Sequence, residues 1–564
     1  MADTPATLAE YVSTALDAHA EHTFLVNPDG TSWTYAEAAE TIARLQELFR
    51  RSGLKPGDRL ALLGANSAQW CLVYLAAVTA GVVVVPILPD FPSASVHNIV
   101  AMSEARVAFV SAALLDRLQG SALPELRHAF VLEDFSEVPV ARIGDLLGQI
   151  RARVERIRER AQLVLEERLH PGAPDAEIGP EDVAAIVYTS GTTGSSKGVV
   201  LTQGNIVTDV LAAVKYVPVS PTDRLLSLLP LAHTYECTCG FLGPMGGGAA
   251  FHHIAQKPSP TVLLQAFARV RPTLVFAVPL VIEKIYRRKV RPAIDRGALL
   301  RTLVRIPAMR RAAHRKAVRG LLEAFGGCLR QMGFGGAALA ADVEAFMREG
   351  DFPYYVGYGM TECAPLIAGC RPGETRPGSC GYPVEGIELR IADPDPRSGI
   401  GEVQVRGPMV TRGYYRNPEA TRALFTEDGW LRTGDLGTLD ADRFLYLKGR
   451  SKNVFLGPAG ENVYPEEIEQ LLARSSLVAE ALVVQREHRL VALVLPDYDL
   501  VREELHTAEL DEGEAGRRIR AAFTGLLREV NAALPPFSQL ADVELRESEF
   551  DKTPTAKIKR YLYA

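Results

Sequence analysis

Residues 183–201 read VAAIVYTSGTTGSSKGVVL, and the fold turns on how this run is taken. Ala184 to Tyr188 are apolar and read as a buried strand, Thr189 to Ser196 contain only Gly, Ser and Thr, and Val199 to Leu201 are apolar again. The polar run cannot build a core. Glycine lets a backbone approach a ligand closely, and hydroxyls with successive N–H groups offer a phosphate many donors, to which Lys197 adds a charge. Composition alone favours a flexible Gly/Ser linker. A strand-like run on each side points instead to an anchored polyphosphate cradle. It is not a Walker loop, which needs Gly directly before Lys and a helix after it; here Ser196 precedes Lys197 and a strand-like run follows. The loop is expected to hang between two strands.

The chain around it has 564 residues, too many for one core, and the length prior suggests about three or four domain-sized units. A formal charge of -6 gives no reason to expect nucleic acid, so small-molecule ligands are expected. Seven scattered cysteines with no CxxC pair indicate neither a disulfide framework nor a zinc site, which fits a reducing cytosol. The opening MADTPATLAEYVSTALDAHAEH is mild and partly acidic, unlike a signal peptide, and export is not expected. From Leu60 to Pro89 no residue is charged. Gly81 and Pro86 interrupt that run, and WCLVYLAAVTA gives way to β-branched VVVVP, the pattern of a buried helix followed by a buried parallel strand rather than a membrane span.

Residues 1–180 alternate helical and strand-like runs, with a helix over Tyr35 to Ser52 and strands at Arg59 to Leu63 and Val107 to Val110. Such alternation predicts a parallel sheet covered by helices. Ala141 to Arg168 interleaves Arg with Glu and reads as a solvated surface helix. Beyond the loop, Asn205 is a candidate helix cap, and LLSLLPLAHTYE (225–236) reads as a strand ending in a polar turn. A lone histidine such as His233 is more often structural than catalytic. In FLGPMGGGAAF (241–251) the small residues either leave room for a ligand tail or form a tight turn. Between Glu283 and Glu323 the only other acid is Asp295, against 13 Lys and Arg. That basic segment, amphipathic over Leu299 to Ile306 and interrupted at Pro307, has three readings: a solvated face, contact with anionic lipid, or binding of the phosphates of a small ligand.

Four further motifs follow in order: MGFGGAAL (332–339), YVGYGMTEC (355–363), GWLRTGDLG (429–437) and GRSKNV (449–454), before the chain ends in DKTPTAKIKRYLY (551–563). With YTSGTTGSSKG they resemble the adenylate-forming AMP-binding superfamily of acyl-CoA synthetases, peptide-synthetase adenylation domains and luciferases. The arginine-rich insert and ENVYPEEIE resemble its long-chain fatty acyl-CoA synthetases. The likeness runs from about Leu8 to Lys559, and it departs at Ala556, where Gly is commoner.

This resemblance implies an α/β fold: a large N-terminal domain (1–451) of two α/β subdomains plus a small β-barrel, with a mobile C-terminal α+β lid (452–564). It implies that Thr189, Ser190, Gly191, Thr192, Thr193, Gly194 and Lys197 cradle ATP phosphates. Adenine would lie between Gly335-Gly336-Ala337 and Tyr358-Gly359. Thr361 would contact the α-phosphate, Glu362 would hold Mg²⁺, Asp435 would accept the ribose diol, and Arg450 would reach ribose or the α-phosphate. Lys452 takes the hinge position, Lys557 the catalytic-lysine position, and His233 shifts toward gating or positioning the thiol.

The expected reaction activates a carboxylic acid, of medium or long chain, with ATP and transfers it to coenzyme A. Two alternatives are an acyl-AMP ligase loading an acyl-carrier protein and a non-catalytic acyl or nucleotide sensor. A cytoplasmic enzyme touching the inner membrane face peripherally completes the expectation.

Overall fold

The computed structural model describes residues 4–119, 123–143, 146–147, 149–150, 153–154, 177–190, 196–254, 260–294, 306–457, 461–487, 489–507, 510–553 and 558–563. Two seven-stranded sheets dominate. In the first, His128–Val131, Val107–Val110, Arg59–Leu63, Val83–Ile87 and Val183–Ser190 run parallel, and Ser196–Thr202 closes one edge antiparallel to Val183–Ser190. The second places Tyr354–Val356, Gln331–Phe334, Leu274–Ala277, Arg224–Leu226, Ala250–His252 and Thr23–Val26 parallel, edged by Ser32–Thr34. The parallel sheet expected for residues 1–180 is the first of these, and it holds the strands expected there at Arg59–Leu63, Val83–Ile87 and Val107–Val110. Thr23–Val26 pairs instead with Ala250–His252 in the second sheet, where Phe24 and Leu25, on its two opposite faces, are both buried.

The helix Ala68–Thr79 and the strand Val83–Ile87 follow the uncharged run, and Trp70 to Val78 are all buried. A helix apolar on every side belongs inside a core. No helix among the described residues is long and apolar enough to cross a membrane.

Three helices start with a reciprocal cap in which a threonine hydroxyl and a side chain three residues on satisfy orphan N–H groups: Thr7 with Glu10, Thr34 with Glu37, and Thr202 with Asn205. Asn205 is therefore the third helical residue and Thr202 the cap. The amide of Asn205 also donates to Pro408 O (2.7 Å) and Val410 O (3.1 Å), pinning a later segment to the helix. Asn66 does the same between the sheets, donating to Ser227 Oγ and Leu229 O while its Oδ1 accepts from Leu231 N.

Tyr358–Gly359, Leu366–Gly369 and Tyr382–Pro383 form a small antiparallel sheet, and Glu388–Ala392, Gly401–Arg406, Leu431–Leu439 and Leu445–Arg450 form an antiparallel meander. After them Val478–Arg486, Arg489–Pro496 and Leu540–Leu545 make a three-stranded sheet covered by helices Pro465–Leu472 and Glu512–Ala532. Its core, with Ile468, Leu472, Val483, Val494 and Phe523, is separate from those of the two large sheets.

In 241–251 the tight-turn reading holds and the tail-room reading does not. A Cβ on Gly246 would sit 2.1 Å from Tyr11 Oη, one on Gly247 2.7 Å from Val219 Cβ, and one on Gly248 2.6 Å from His19 Nδ1. Absent side chains there admit the protein's own neighbours.

The basic segment is also less open than its composition suggests. A helix begins at Pro307 and runs to Ala324; Arg310 pairs with Glu349 (2.7 Å) and Arg315 with Asp351 (2.8 Å). Upstream, Arg288 pairs with Asp497 (3.1 Å) and Arg291 donates to Arg474 O (3.1 Å), both in the C-terminal unit. Leu299, Leu300, Arg301, Leu303, Val304 and Arg305 lie outside the described residues, as does most of Ala141 to Arg168.

Candidate active site

The strands Val183–Ser190 and Ser196–Thr202 pair antiparallel from Val183↔Thr202 to Ser190↔Ser196, so the polar loop hangs between two strands as its flanks predict. Gly191, Thr192, Thr193 and Gly194 lie outside the described residues. Gly198 decides the packing between the two strands: a Cβ there would fall 2.8 Å from Ile186 Cγ2 and 3.0 Å from Tyr188 Cζ. Tyr188 crosses the space that a larger residue would occupy.

A third strand-like segment joins this hairpin through Val200 N to Gly413 O (3.0 Å) and Tyr415 N to Gly198 O (2.7 Å). It carries Tyr414, whose hydroxyl donates to Glu362 Oε1 at 2.8 Å and whose ring centroid lies 5.0 Å from Lys197 Nζ. Burial and the Glu362 carboxylate raise the Tyr414 phenol above its ordinary range, so it stays a donor. Thr361 and Glu362 are 9% and 8% exposed, and Glu362 O accepts from Thr411 N at 2.8 Å. Gly359 is required by close packing, since a Cβ would sit 2.1 Å from Pro365 O.

Four residues before Glu362, the Tyr358 hydroxyl donates to Asp435 Oδ2 at 2.6 Å, and Arg450 Nε pairs with Oδ1 at 2.9 Å. Asp435 and Arg450 are direct cross-strand partners in the meander. Burial and the adjacent carboxylate push the Tyr358 phenol well up. A carboxylate offers about four lone-pair directions, so these two contacts leave Asp435 able to accept a diol.

Gly335 and Gly336 follow the strand Gln331–Phe334, and Gly336 takes φ +81°. An aromatic ring does lie against Gly335, but it is the protein's own Tyr235, 3.1 Å from where a Cβ would stand. Ala337 is exposed just beyond. His233, half-buried, accepts through Nδ1 from Tyr235 N (3.2 Å), which fixes its ring at the start of the helical turns Tyr235–Leu242.

Lys452 is exposed in the turn Ser451–Asn453 that follows the Arg450 strand. Lys557 lies outside the described residues. Its flanks are held: Lys552 and Ile558 form an antiparallel bridge, Lys559 N donates to Asp551 O (2.8 Å), and Arg560 pairs with Glu469. Burial outweighs that arginine and pushes Glu469 up to about 7.

The magnesium expectation fits the donor set. No group of three or more His, Cys, Asp or Glu side chains gathers as a metal cage among the described residues, whereas Glu362 presents a carboxylate with one oxygen held by Tyr414. A hard cation bound through one carboxylate plus substrate phosphates needs no more.

Sequence reasoning missed two groups. Tyr414 had only its place in GYY to mark it. Glu236 is 2% exposed, accepts from Ser227 Oγ at 2.7 Å, and is pushed up to about 8 by burial, which favours its protonated form. Its proximity to His233 was the available signal.

A family model described as AMP-binding enzyme matches residues 12–415. Long-chain-fatty-acid–CoA ligase FadD15 of Mycobacterium bovis is 31% identical, the alignment covering 96% of this chain and 92% of that protein. Long chain acyl-CoA synthetase 7, peroxisomal, of Arabidopsis thaliana is 30% identical over 97% of this chain and 83% of its own. 4-coumarate-CoA ligase 1 of Narcissus pseudonarcissus is 30% identical over 80% and 76%. Among solved structures, a benzoate CoA ligase from Burkholderia xenovorans LB400 shares the fold with a TM-score of 0.76 at 22% identity over 99% of both chains. ATP-bound MatB from Rhodopseudomonas palustris does so with 0.74 at 23% over 98% of both.

Proposed function

The chain belongs to the AMP-binding enzyme family, and from that premise we propose that it is an AMP-forming acid–thiol ligase. Its substrates are ATP, a medium- or long-chain fatty acid, and coenzyme A. One observation carries this: within the five-residue segment 358–362, Tyr358 touches the Asp435–Arg450 pair and Glu362 touches Tyr414 beside Lys197. A nucleotide laid along that segment meets a carboxylate suited to a ribose diol at one end and a cation, with an acid suited to a metal, at the other.

In the first step a carboxylate oxygen attacks the α-phosphorus, the bond to the bridging oxygen breaks, and pyrophosphate leaves through the hairpin held by Thr189, Ser190, Gly191, Thr192, Thr193, Gly194 and Lys197. Both reactants are anions, so the site must neutralise and align them. Thr361 positions the α-phosphate, Arg450 lies at the ribose end, and Lys557 stabilises the charge that builds on the oxygens. Glu362 would hold Mg²⁺, which when bound supplies charge neutralisation on the phosphates. Gly335, Gly336, Ala337 and Gly359 shape the adenine site with Tyr358. In the second step the thiol of coenzyme A attacks the acyl carbon of the mixed anhydride and AMP departs, with His233 positioning the approach.

Residues 1–451 form the adenylation part and 452–564 the lid, pivoting at Lys452; the separate core of the C-terminal unit supports this division. Ile306 and Met309, 51% and 48% exposed in the basic segment, support peripheral contact with an anionic membrane at the inner face.

The test is acid-dependent ATP–pyrophosphate exchange across fatty, aryl and short carboxylates, followed by AMP release with coenzyme A or a holo-carrier protein. Exchange peaking with a medium- or long-chain fatty acid and AMP release with free coenzyme A is the expected result. Exchange with no acid would end the ligase reading in favour of a sensor. AMP release with the carrier alone would change the acceptor.

A further inference from the structure

Tyr414 stands where two sequence-distant parts of the site meet. Its backbone is fixed on both sides: Val199 and Tyr414 form an antiparallel bridge, Val200 N donates to Gly413 O, Tyr415 N donates to Gly198 O, and Tyr414 N donates to Thr421 Oγ1 at 2.9 Å. Alternation along such a segment sends Tyr414 and Tyr415 to opposite faces. Tyr414 takes the face of Glu362 and Lys197. The two charges then address different parts of one rigid side chain: the hydroxyl donates to Glu362 Oε1 at 2.8 Å, while Lys197 Nζ lies 5.0 Å from the ring centroid.

The geometry is selective. A carboxylate whose Oε1 is held by a hydroxyl presents Oε2 in a defined direction, and an ammonium over a ring face is restrained without losing its charge. A phenylalanine would keep the ring and its packing but release the carboxylate. An aliphatic residue would release both. Glu362 O is itself tied to Thr411 N, so the loop and the side chain of Glu362 are both anchored to residues 411–414.

We propose that Tyr414 is a positioning residue that holds the Glu362 carboxylate and the Lys197 ammonium in one preset geometry for a metal–polyphosphate. This rests on the AMP-forming reading of the site. Partners one shell out from a metal ligand matter at about 10–100-fold in metal affinity or activity, whereas a cation–π contact at an accessible site corresponds to roughly two- to fivefold.

The experiment titrates ATP by calorimetry into the wild type, Tyr414→Phe and Tyr414→Leu, without metal and across a Mg²⁺ series. Thermal melts accompany it, and Glu362→Gln is carried alone and combined with Tyr414→Phe. Tyr414→Phe is expected to raise the Mg²⁺ concentration for half-maximal enhancement of ATP binding about tenfold, with metal-free ATP affinity within twofold of wild type. Tyr414→Leu should in addition weaken metal-free ATP binding two- to fivefold. In the Glu362→Gln background, Tyr414→Phe should add nothing, which a purely structural role for the tyrosine would not produce. An unchanged Mg²⁺ requirement in Tyr414→Phe, or independent effects in the double variant, would overturn the proposal and leave the ligase reading intact. A wild type with no Mg²⁺-dependent ATP binding would overturn both.

Discussion

Asp435 shows what a single residue commits. Its two oxygens already engage Tyr358 and Arg450, yet the acid is only 7% exposed and keeps lone pairs for a diol. Asp435→Asn keeps the shape and removes the charge, and hydrogen bonds to charged groups are worth about 1.5–3 kcal/mol. The expected outcome is an ATP Michaelis constant raised roughly 10- to 100-fold, with a smaller change in the maximal exchange rate, read by steady-state exchange. Asp435, Glu362 and Arg450 stood out as candidates in the sequence because each sits in a short motif. Glu236 was not, because its burial is a property of packing. Burial lifts it from the ordinary 4.5 to about 8 in the fold, so the proton it holds stabilises the fold fully below about 4.5, and that contribution disappears as pH rises through about 8. Glu236→Gln, which mimics the protonated acid, should flatten the loss of melting temperature between pH 6 and 8.5. The slope removed is on the order of 1 kcal/mol per pH unit in the steepest part. Parallel melting curves for the two proteins would show that Glu236 does not titrate there.

At the scale of elements, the hairpin was readable because a polar run with an apolar strand on each side admits few arrangements. The buried helix Ala68–Thr79 was readable because its flanks change from helical to β-branched residues. The membership of Thr23–Val26 in the second sheet was not, since nothing local states that its partner is Ala250–His252, more than two hundred positions away. Nor could composition say whether glycines 246–248 spare room for a ligand or for Tyr11, Val219 and His19. Gly198 tests the hairpin as a unit. A methyl group there meets Ile186 at 2.8 Å and the Tyr188 ring at 3.0 Å, so strand separation or ring position must change. Overpacking of this kind costs about 1–3 kcal/mol. Gly198→Ala should lower the melting temperature and weaken ATP binding together, because the displaced strand also carries Lys197. Normal ATP affinity in a destabilised variant would separate the packing of the hairpin from its ligand role.

For the molecule as a whole, the motifs fall on the meander and the hairpin, but they could not show how the C-terminal unit is held. Arg288 and Asp497 are 209 positions apart, and no sequence pattern links them. With the contact of Arg291 to Arg474 O, that pair ties the basic segment to the C-terminal unit. Arg288 is half exposed, so the pair is screened by water and salt, and an exposed ion pair contributes about 0.2–1 kcal/mol. Removing Arg288 and Arg291 together should therefore shift the balance between adenylate formation and thioester formation by only two- to fivefold. Comparison of the two half-reactions at low and high salt reads that shift. Lys452 should have a larger effect. It lies in the turn Ser451–Asn453, directly after the strand that carries Arg450 and before the separate C-terminal core, where a change of φ would rotate one unit against the other. Proline fixes φ near −65° and removes the backbone donor, so Lys452→Pro should hold one orientation of the lid. In the proposed mechanism adenylate formation requires Lys557 at the phosphates, and thioester formation requires it to withdraw. A protein locked for adenylation would release pyrophosphate at a near-normal rate and accumulate acyl-AMP, with transfer to coenzyme A falling by orders of magnitude in single-turnover measurements. Equal losses in both steps would mean that the pivot lies elsewhere in the chain.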